Sequence, residues 1–321
     1  MQCKNPPSLF IMLKSAGRFF LYKVMRYNKQ YSTPQELVSL LKNRGLMIND
    51  ENLALQSIRS IGYYRLSAYL HPFLSNPKTL HAFKPGTTFA QAMSIYEFDR
   101  KLRLFIFDQI ERIEIAVRSA IVNITSQDTN NPFWMTDVST YAKADKFQKT
   151  MQLIDKELLT TREEFIKHFR ETYTDQYPPS WMLSEILPFG VLTRVYENIA
   201  SNQIRKRIAQ YFGLNIPVFT SWLTIITVTR NACCHHARLW NRNLSIRALL
   251  INRWNSPWIS SSIQQGRIFF TICILKHFMD IVLPQNTLKD DLKILLKEYP
   301  NIDITAMGFP KDWEKEPLWN C

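Results

Sequence analysis

From Ile95 to Ile124 an apolar residue recurs at steps of three or four: Ile95, Phe98, Leu102, Ile106, Ile110, Ile113, Val117, Ile121 and Ile124. That period is the signature of one long α-helix with a buried stripe, and it matches no strand. The charged residues between follow the same spacing. Asp99 precedes Arg103, Asp108 precedes Arg112 and Glu114 precedes Arg118, each by four residues, the favoured order for pairs on a solvated helix face. Structural support is the expected role of these pairs.

The rest of the chain repeats the helical pattern. Thr33, Pro34 and Glu36 read as a capping box with proline in the first turn, and Gly45 closes that helix. A second helix starts near Asn49 or Asp50 and reaches Gly62, followed by the aromatic run Tyr63 to Tyr69, which His71-Pro72 ends. Asn130-Asn131-Pro132 breaks the chain after the long stripe, and further helical stretches are expected at 144–159, 162–171 and 181–212, punctuated by Pro178-Pro179 and Gly190, and at 266–283 and 287–298, split by Pro284. Glycine occurs only eight times in 321 residues, well below the usual share of about 7%. An all-α bundle with additional N- and C-terminal helices is therefore expected. Residues 1–24 show no helical period and read as an extension, with Met25 a natural alternative start. Residues 25–300 read as a single helical domain and 301–321 as a C-terminal tail.

The net charge is +13, and its distribution is uneven. No acidic residue lies between Glu197 and Asp280, while Arg205, Lys206, Arg207, Arg230, Arg238, Arg242, Arg247, Arg253, Arg267 and Lys276 all fall in that interval. An unopposed positive field of this kind suits a polyanion, with nucleic acid the leading class. The alternative is a basic surface kept for solubility. Five cysteines, at 3, 233, 234, 273 and 321, fit no disulfide framework and point to a reducing cytoplasm. No apolar stretch approaches the roughly 18 residues of a membrane span, so no membrane partner is expected.

Arg230 to Arg242 gathers two histidines, three arginines, two asparagines and a tryptophan within thirteen residues, directly after the apolar run of Phe219, Trp222, Leu223, Ile226 and Val228. Cutting RNA without a metal needs a base for the 2′-hydroxyl, an acid for the leaving 5′-oxygen and a cation for the crowded phosphate. Histidine and arginine supply all three. Five residues of helix advance about 7.5 Å and turn about 140°, so Arg230 and His235 do not share a face. Either the helix bends there or a second copy completes the site, and two-fold symmetry favours a homodimer. The competing structural reading makes His235 or His236 a helix-end cap and Arg230 a partner of terminal carbonyls. A zinc site lacks a second ligand pair, and the solitary glycines form no nucleotide cradle. Tyr63, Tyr64, Arg65 and Tyr69 can stack on bases, although such tyrosines more often serve packing.

The run from Arg230-Asn231 through His235-His236 to Arg238-Leu-Trp-Asn-Arg242 closely resembles the signature of the Abi family, the AbiD/AbiF-like bacterial abortive-infection proteins. Further blocks agree in order: Gly45-Leu46, Ile61 to Ser67, Tyr96 to Arg103, Ile110 to Arg118, Phe133-Trp134 and Pro178 to Met182. That family is similar to the HEPN superfamily of helical ribonucleases, whose motif is an arginine, often followed by a polar residue, and a histidine four to six residues on. The type VI CRISPR effector ribonucleases use a similar motif. The resemblance implies a HEPN-like helical bundle, an anti-phage role, and metal-independent endoribonuclease activity leaving 2′,3′-cyclic phosphates. It implies Arg230, His235 and His236 as catalytic residues, no cofactor, RNA as partner, a homodimer, and an antitoxin or small noncoding RNA as a further partner. Asn231, Arg238, Asn241, Arg242, Arg205, Lys206 and Arg207 are expected to bind RNA or support the site. The other reading is a non-catalytic RNA-binding or scaffold component of a defence or toxin-antitoxin system. Cys234 stands where the resemblance leads us to expect a small residue such as alanine.

Overall fold

The computed structural model describes residues 9–15, 18–24, 30–244, 246–251, 258–260 and 262–320. The possible start at Met25, together with Cys3, Cys321 and Arg253, lies outside the described residues. Leu9–Ser15 (β1) and Arg18–Val24 (β2) pair as an antiparallel hairpin, with Leu9 opposite Val24 and Ser15 opposite Arg18. Everything else regular among the described residues is helical, so the fold is all-α as expected.

The chain divides into two compact units, one up to Ala90 and one from Gln91 onward. In the first, Pro34–Asn43 (α1), Glu51–Ile61 (α2) and Tyr63–Leu70 (α3) follow the hairpin. The capping box at α1 is complete: the Glu36 N–H donates to Thr33 Oγ1 at 3.3 Å and the Thr33 N–H donates to Glu36 Oε2 at 2.7 Å. Asp50 caps α2 by accepting the Leu53 N–H at 2.9 Å. Val38, Leu41, Leu46, Ala54, Ile58, Leu66 and Tyr69 are buried. Tyr64 is 92% exposed and Tyr63 accepts from the Arg44 guanidinium, so the aromatic run divides between packing and surface.

The second unit is built on all but the first two residues of Phe89–Thr129 (α4), a helix of 41 residues that is roughly 60 Å long. Its predicted stripe is the inner face: Phe98, Leu102, Ile106, Ile110, Ile113, Val117 and Ile121 have no exposed surface. Ala144–Thr160 (α5) and Glu164–Thr172 (α6) follow. The stretch predicted as 181–212 is three helices: Ser180–Ile186 (α7), Phe189–Asn198 (α8) and Asn202–Tyr211 (α9). Pro188 precedes α8, where its missing N–H costs nothing, and Ser201 caps α9 through the Ile204 N–H. Ile216–Cys234 (α10), capped by Asn215, meets α9 at 64°. Ile268–Val282 (α11) and Leu288–Glu298 (α12) complete the helices.

Aromatic packing joins the ends of these helices. Phe212 stacks on Phe219 at 5.3 Å, both touch Phe278, and Trp222 lies 4.8 Å from Trp258. Residues after α12 form short turns that send Phe309, Trp313 and Trp319 into the core around Phe269. No single helix among the described residues is long and apolar enough to cross a membrane.

Candidate functional site

The segment from Arg230 to Arg242 is not one helix. Its first part is the last turn of α10, which runs unbroken to Cys234 with His235 at the C-cap. His236 follows with φ of 54°, a left-handed conformation that side chains other than glycine adopt at a cost. Two hydrogen bonds explain it: the His236 N–H donates to the Cys233 carbonyl at 3.0 Å, and the Ala237 N–H donates to the Ala232 carbonyl at 2.8 Å. This pair of bonds is a Schellman cap, which closes the orphan carbonyls of the helix. His236 thus occupies the place where glycine is the usual choice.

The chain then turns across α4. Asp99, wholly buried, accepts the N–H of Leu239 at 3.0 Å and of Trp240 at 2.6 Å on one carboxylate oxygen, while its other oxygen accepts from Arg103. Trp240 is buried and its indole N–H donates to the Asp303 carbonyl at 3.3 Å. Asn241 also has a left-handed backbone, φ 48°, and accepts from the Arg267 guanidinium at 3.3 Å. Burial pushes the Cys233 thiol up to about 12, an effect that nearby Arg103 partly offsets.

Arg230 pairs with a different acid of α4. Its Nε is 3.6 Å from Glu114 Oε2, an ion pair just beyond hydrogen-bond reach, and that nitrogen is buried without a hydrogen-bond partner among the described residues. Glu114 also accepts from Arg118 at 3.2 Å, and Arg118 donates in turn to the Leu187 carbonyl at 3.3 Å. The solvated-face reading of the α4 pairs therefore fails for two of the three. Asp99–Arg103 is buried and Glu114–Arg118 nearly so, and both serve the Arg230–Arg242 segment; Asp108 and Arg112 are exposed.

Between α8 and α10 is a cleft of about 210 Å³, lined by Phe189, Gly190, Val191 and Arg194 from α8 and by Thr227, Arg230 and Asn231 from α10. The two helices approach closely here: a Cβ on Gly190 would come within 3.4 Å of the Thr227 methyl. Among the described residues no carboxylate lines the cleft.

The expected site residues are thus only partly gathered. Arg230 and Asn231 share the cleft, whereas His235 and His236 are exposed at the helix end and do not line it. With α10 uninterrupted, the bent-helix alternative has no support, and Arg230 and His235 point about 140° apart. Arg238 and Asn241 belong to the loop beyond and Arg242 is exposed. Arg205, Lys206 and Arg207 lie on α9, where Arg205 bonds Asn202 at 2.5 Å and Arg207 pairs with Asp128. None of the three lines the cleft. Among the described residues no three histidine, cysteine or acidic side chains gather as metal ligands would.

Sequence reasoning reads Asp99 and Glu114 only as surface pairs and does not single out Arg194. The first two carried a signal, since each stands beside a stripe residue with a base four positions on. Arg194 carried none.

No curated protein and no solved structure matches this chain. A family model, that of the Abi-like proteins, matches residues 56–241, from α2 through α4 to the Trp240–Asn241 turn. The match covers more than half of the chain and contains Asp99, Glu114, both walls of the cleft and the segment from Arg230 to Asn241, so the chain belongs to the Abi-like protein family.

Proposed function

We propose that this protein is an abortive-infection ribonuclease that cuts RNA without a metal ion. The observation that carries this reading is Arg230: a guanidinium held from behind by Glu114, with its Nε unbonded, at the edge of a cleft without carboxylates. Such a group can grip two phosphate oxygens and stabilise the charge that builds on them. His235 is the proton carrier. His236 is assigned mainly to the cap, because its backbone terminates α10.

In the reaction one histidine takes the proton of the 2′-hydroxyl and the 2′-oxygen attacks phosphorus. The bond from phosphorus to the 5′-oxygen breaks, and a second histidine gives that oxygen a proton. The products are a 2′,3′-cyclic phosphate and a 5′-hydroxyl end. One chain presents His235 away from Arg230, so a second copy related by two-fold symmetry supplies the other histidine. Arg205, Lys206 and Arg207 extend the positive surface along which the strand lies, with Arg238, Asn241 and Arg242 beside the histidines. A nuclease of this kind needs restraint, which fits an antitoxin or a small noncoding RNA.

The Glu114 contact also favours a second reading, in which Arg230 is too well neutralised to do more than hold RNA. One experiment separates them: total RNA incubated in EDTA with wild-type protein, Arg230→Ala and His235→Ala. Cleavage by wild type alone is the expected result. Intact RNA in all three, with equal binding, overturns the nuclease and leaves the binding module; cleavage abolished by EDTA overturns the metal-free mechanism.

A further inference from the structure

We infer that the cleft between α8 and α10 is a seat for a second phosphate of the RNA strand, and that Arg194 is its phosphate-binding residue. The inference rests on the RNA reading above and assigns a residue that the Arg230–Arg242 segment does not contain.

Arg194 lies one turn into α8, is exposed and lines the same cleft as Arg230, and its guanidinium makes no ion pair or hydrogen bond among the described residues. Surface arginines usually find a carboxylate nearby, and here Glu114 is already shared between Arg118 and Arg230. Arg194 and Arg230 thus line the cleft together, and among the described residues no carboxylate joins them in its wall. The amide of Asn231, exposed on the last turn of α10, adds a neutral donor to the same wall. Gly190 lets the backbone of α8 come against α10 beside Thr227, and both arginines line the cleft between the two helices. An anion with several oxygens satisfies this set; an apolar ligand leaves it unpaired. The ligand chemistry is a phosphate, in an RNA strand or free, and the connected strand is favoured because α9, which packs against α10, carries the further exposed cation Lys206.

The test uses the full-length protein and an oligoribonucleotide methylated at every 2′-oxygen, which blocks the attacking group and leaves the phosphates. Binding is followed by fluorescence anisotropy across a salt series for wild type, Arg194→Gln and, as a control, Arg162→Gln, an exposed arginine between α5 and α6. Losing one phosphate contact on a single strand lowers the slope of log affinity against log salt by about 0.7. Affinity at low salt should fall about tenfold. Arg194→Gln should show both changes and Arg162→Gln neither. Equal slopes and affinities for wild type and Arg194→Gln overturn the phosphate seat even if RNA is bound. If wild type binds no RNA, the functional reading above falls, and inorganic phosphate at constant ionic strength decides the cleft. A rise in Tm for wild type that Arg194→Gln lacks supports a seat for free phosphate, and equal rises overturn it.

Discussion

One oxygen of Asp99 holds the backbone N–H of Trp240 at 2.6 Å across a separation of 141 residues, and by that bond α4 fixes the loop that follows the α10 histidines. The same carboxylate balances Arg103, and both groups are buried. Asp99→Asn keeps the volume but leaves the guanidinium unpaired in the core and puts an amide donor against two N–H groups. The expected loss is about 3–5 kcal/mol, the usual cost of breaking a buried pair from one side. Denaturant unfolding measures it, and tryptic cleavage at Arg238 and Arg242 should quicken. A loss below about 1 kcal/mol would show that the loop has other anchors.

Glu114 plays the corresponding part for Arg230, in a more open setting. The Arg230 side chain is 34% exposed and its contact is 3.6 Å, so the pair adds little to stability and mainly sets where the guanidinium sits. Glu114→Gln should cost about 1–2 kcal/mol, chiefly through Arg118. In the cleavage assay kcat should fall about tenfold, roughly 1.4 kcal/mol of transition-state stabilisation, with KM little changed. An unaltered kcat would remove Glu114 from the positioning of Arg230.

The two histidines separate by backbone conformation. Glycine suits the left-handed position that His236 occupies, so His236→Gly should raise stability by roughly 0.5–1 kcal/mol. It should also retain cleavage, whereas His235→Ala abolishes it. Loss of activity in His236→Gly with a gain in stability would transfer the proton role to His236.

Adjacent cysteines should differ sharply toward alkylating reagents. Cys234 is exposed, while burial raises the Cys233 thiol to about 12. A raised thiol pKa disfavours the nucleophilic thiolate, so Cys233 reacts slowly even at mildly alkaline pH. Iodoacetamide labelling read by peptide mass spectrometry should find Cys234 modified first, with Cys233 and the fully buried Cys273 protected until the protein unfolds. Equal rates at 233 and 234 would mean that the end of α10 opens readily.

How much of this was legible in the sequence depends on whether the cause is local. The α4 stripe was, because a helical period is written in consecutive residues, and so were the Thr33 box and the residues of the Arg230–Arg242 motif. The breaks at Pro188 and Ser201 were not, because proline at a helix start and serine as a cap leave the apolar pattern around them intact. Asp99 and Glu114 were seen but placed in solvent. A spacing of four reads the same on either side of a helix, and only the packing of the loop after α10, more than a hundred residues later, decides which side is dry. Arg194 becomes a site residue solely by facing Arg230 from another helix.

The chain beyond α12 supports that loop from the far side. Trp319 is fully buried, stacks on Phe269 at 6.0 Å, meets Trp313 edge-on at 4.8 Å and donates its indole N–H to Cys273 Sγ at 3.3 Å. The same segment supplies the Asp303 carbonyl to Trp240, and Gly308 lies against Arg267, which bonds Asn241. Trp319→Ala should therefore cost about 3–5 kcal/mol through the cavity it leaves. Trp319→Phe, which keeps the ring and loses the N–H, should cost clearly less. A chain ending at residue 300 forfeits Phe309, Trp313 and Trp319 together and should lose cooperative thermal unfolding along with RNA cleavage. Calorimetry on the three variants checks the order, and a truncated protein that still melts sharply would show that the core around Phe269 closes without its C-terminal cover.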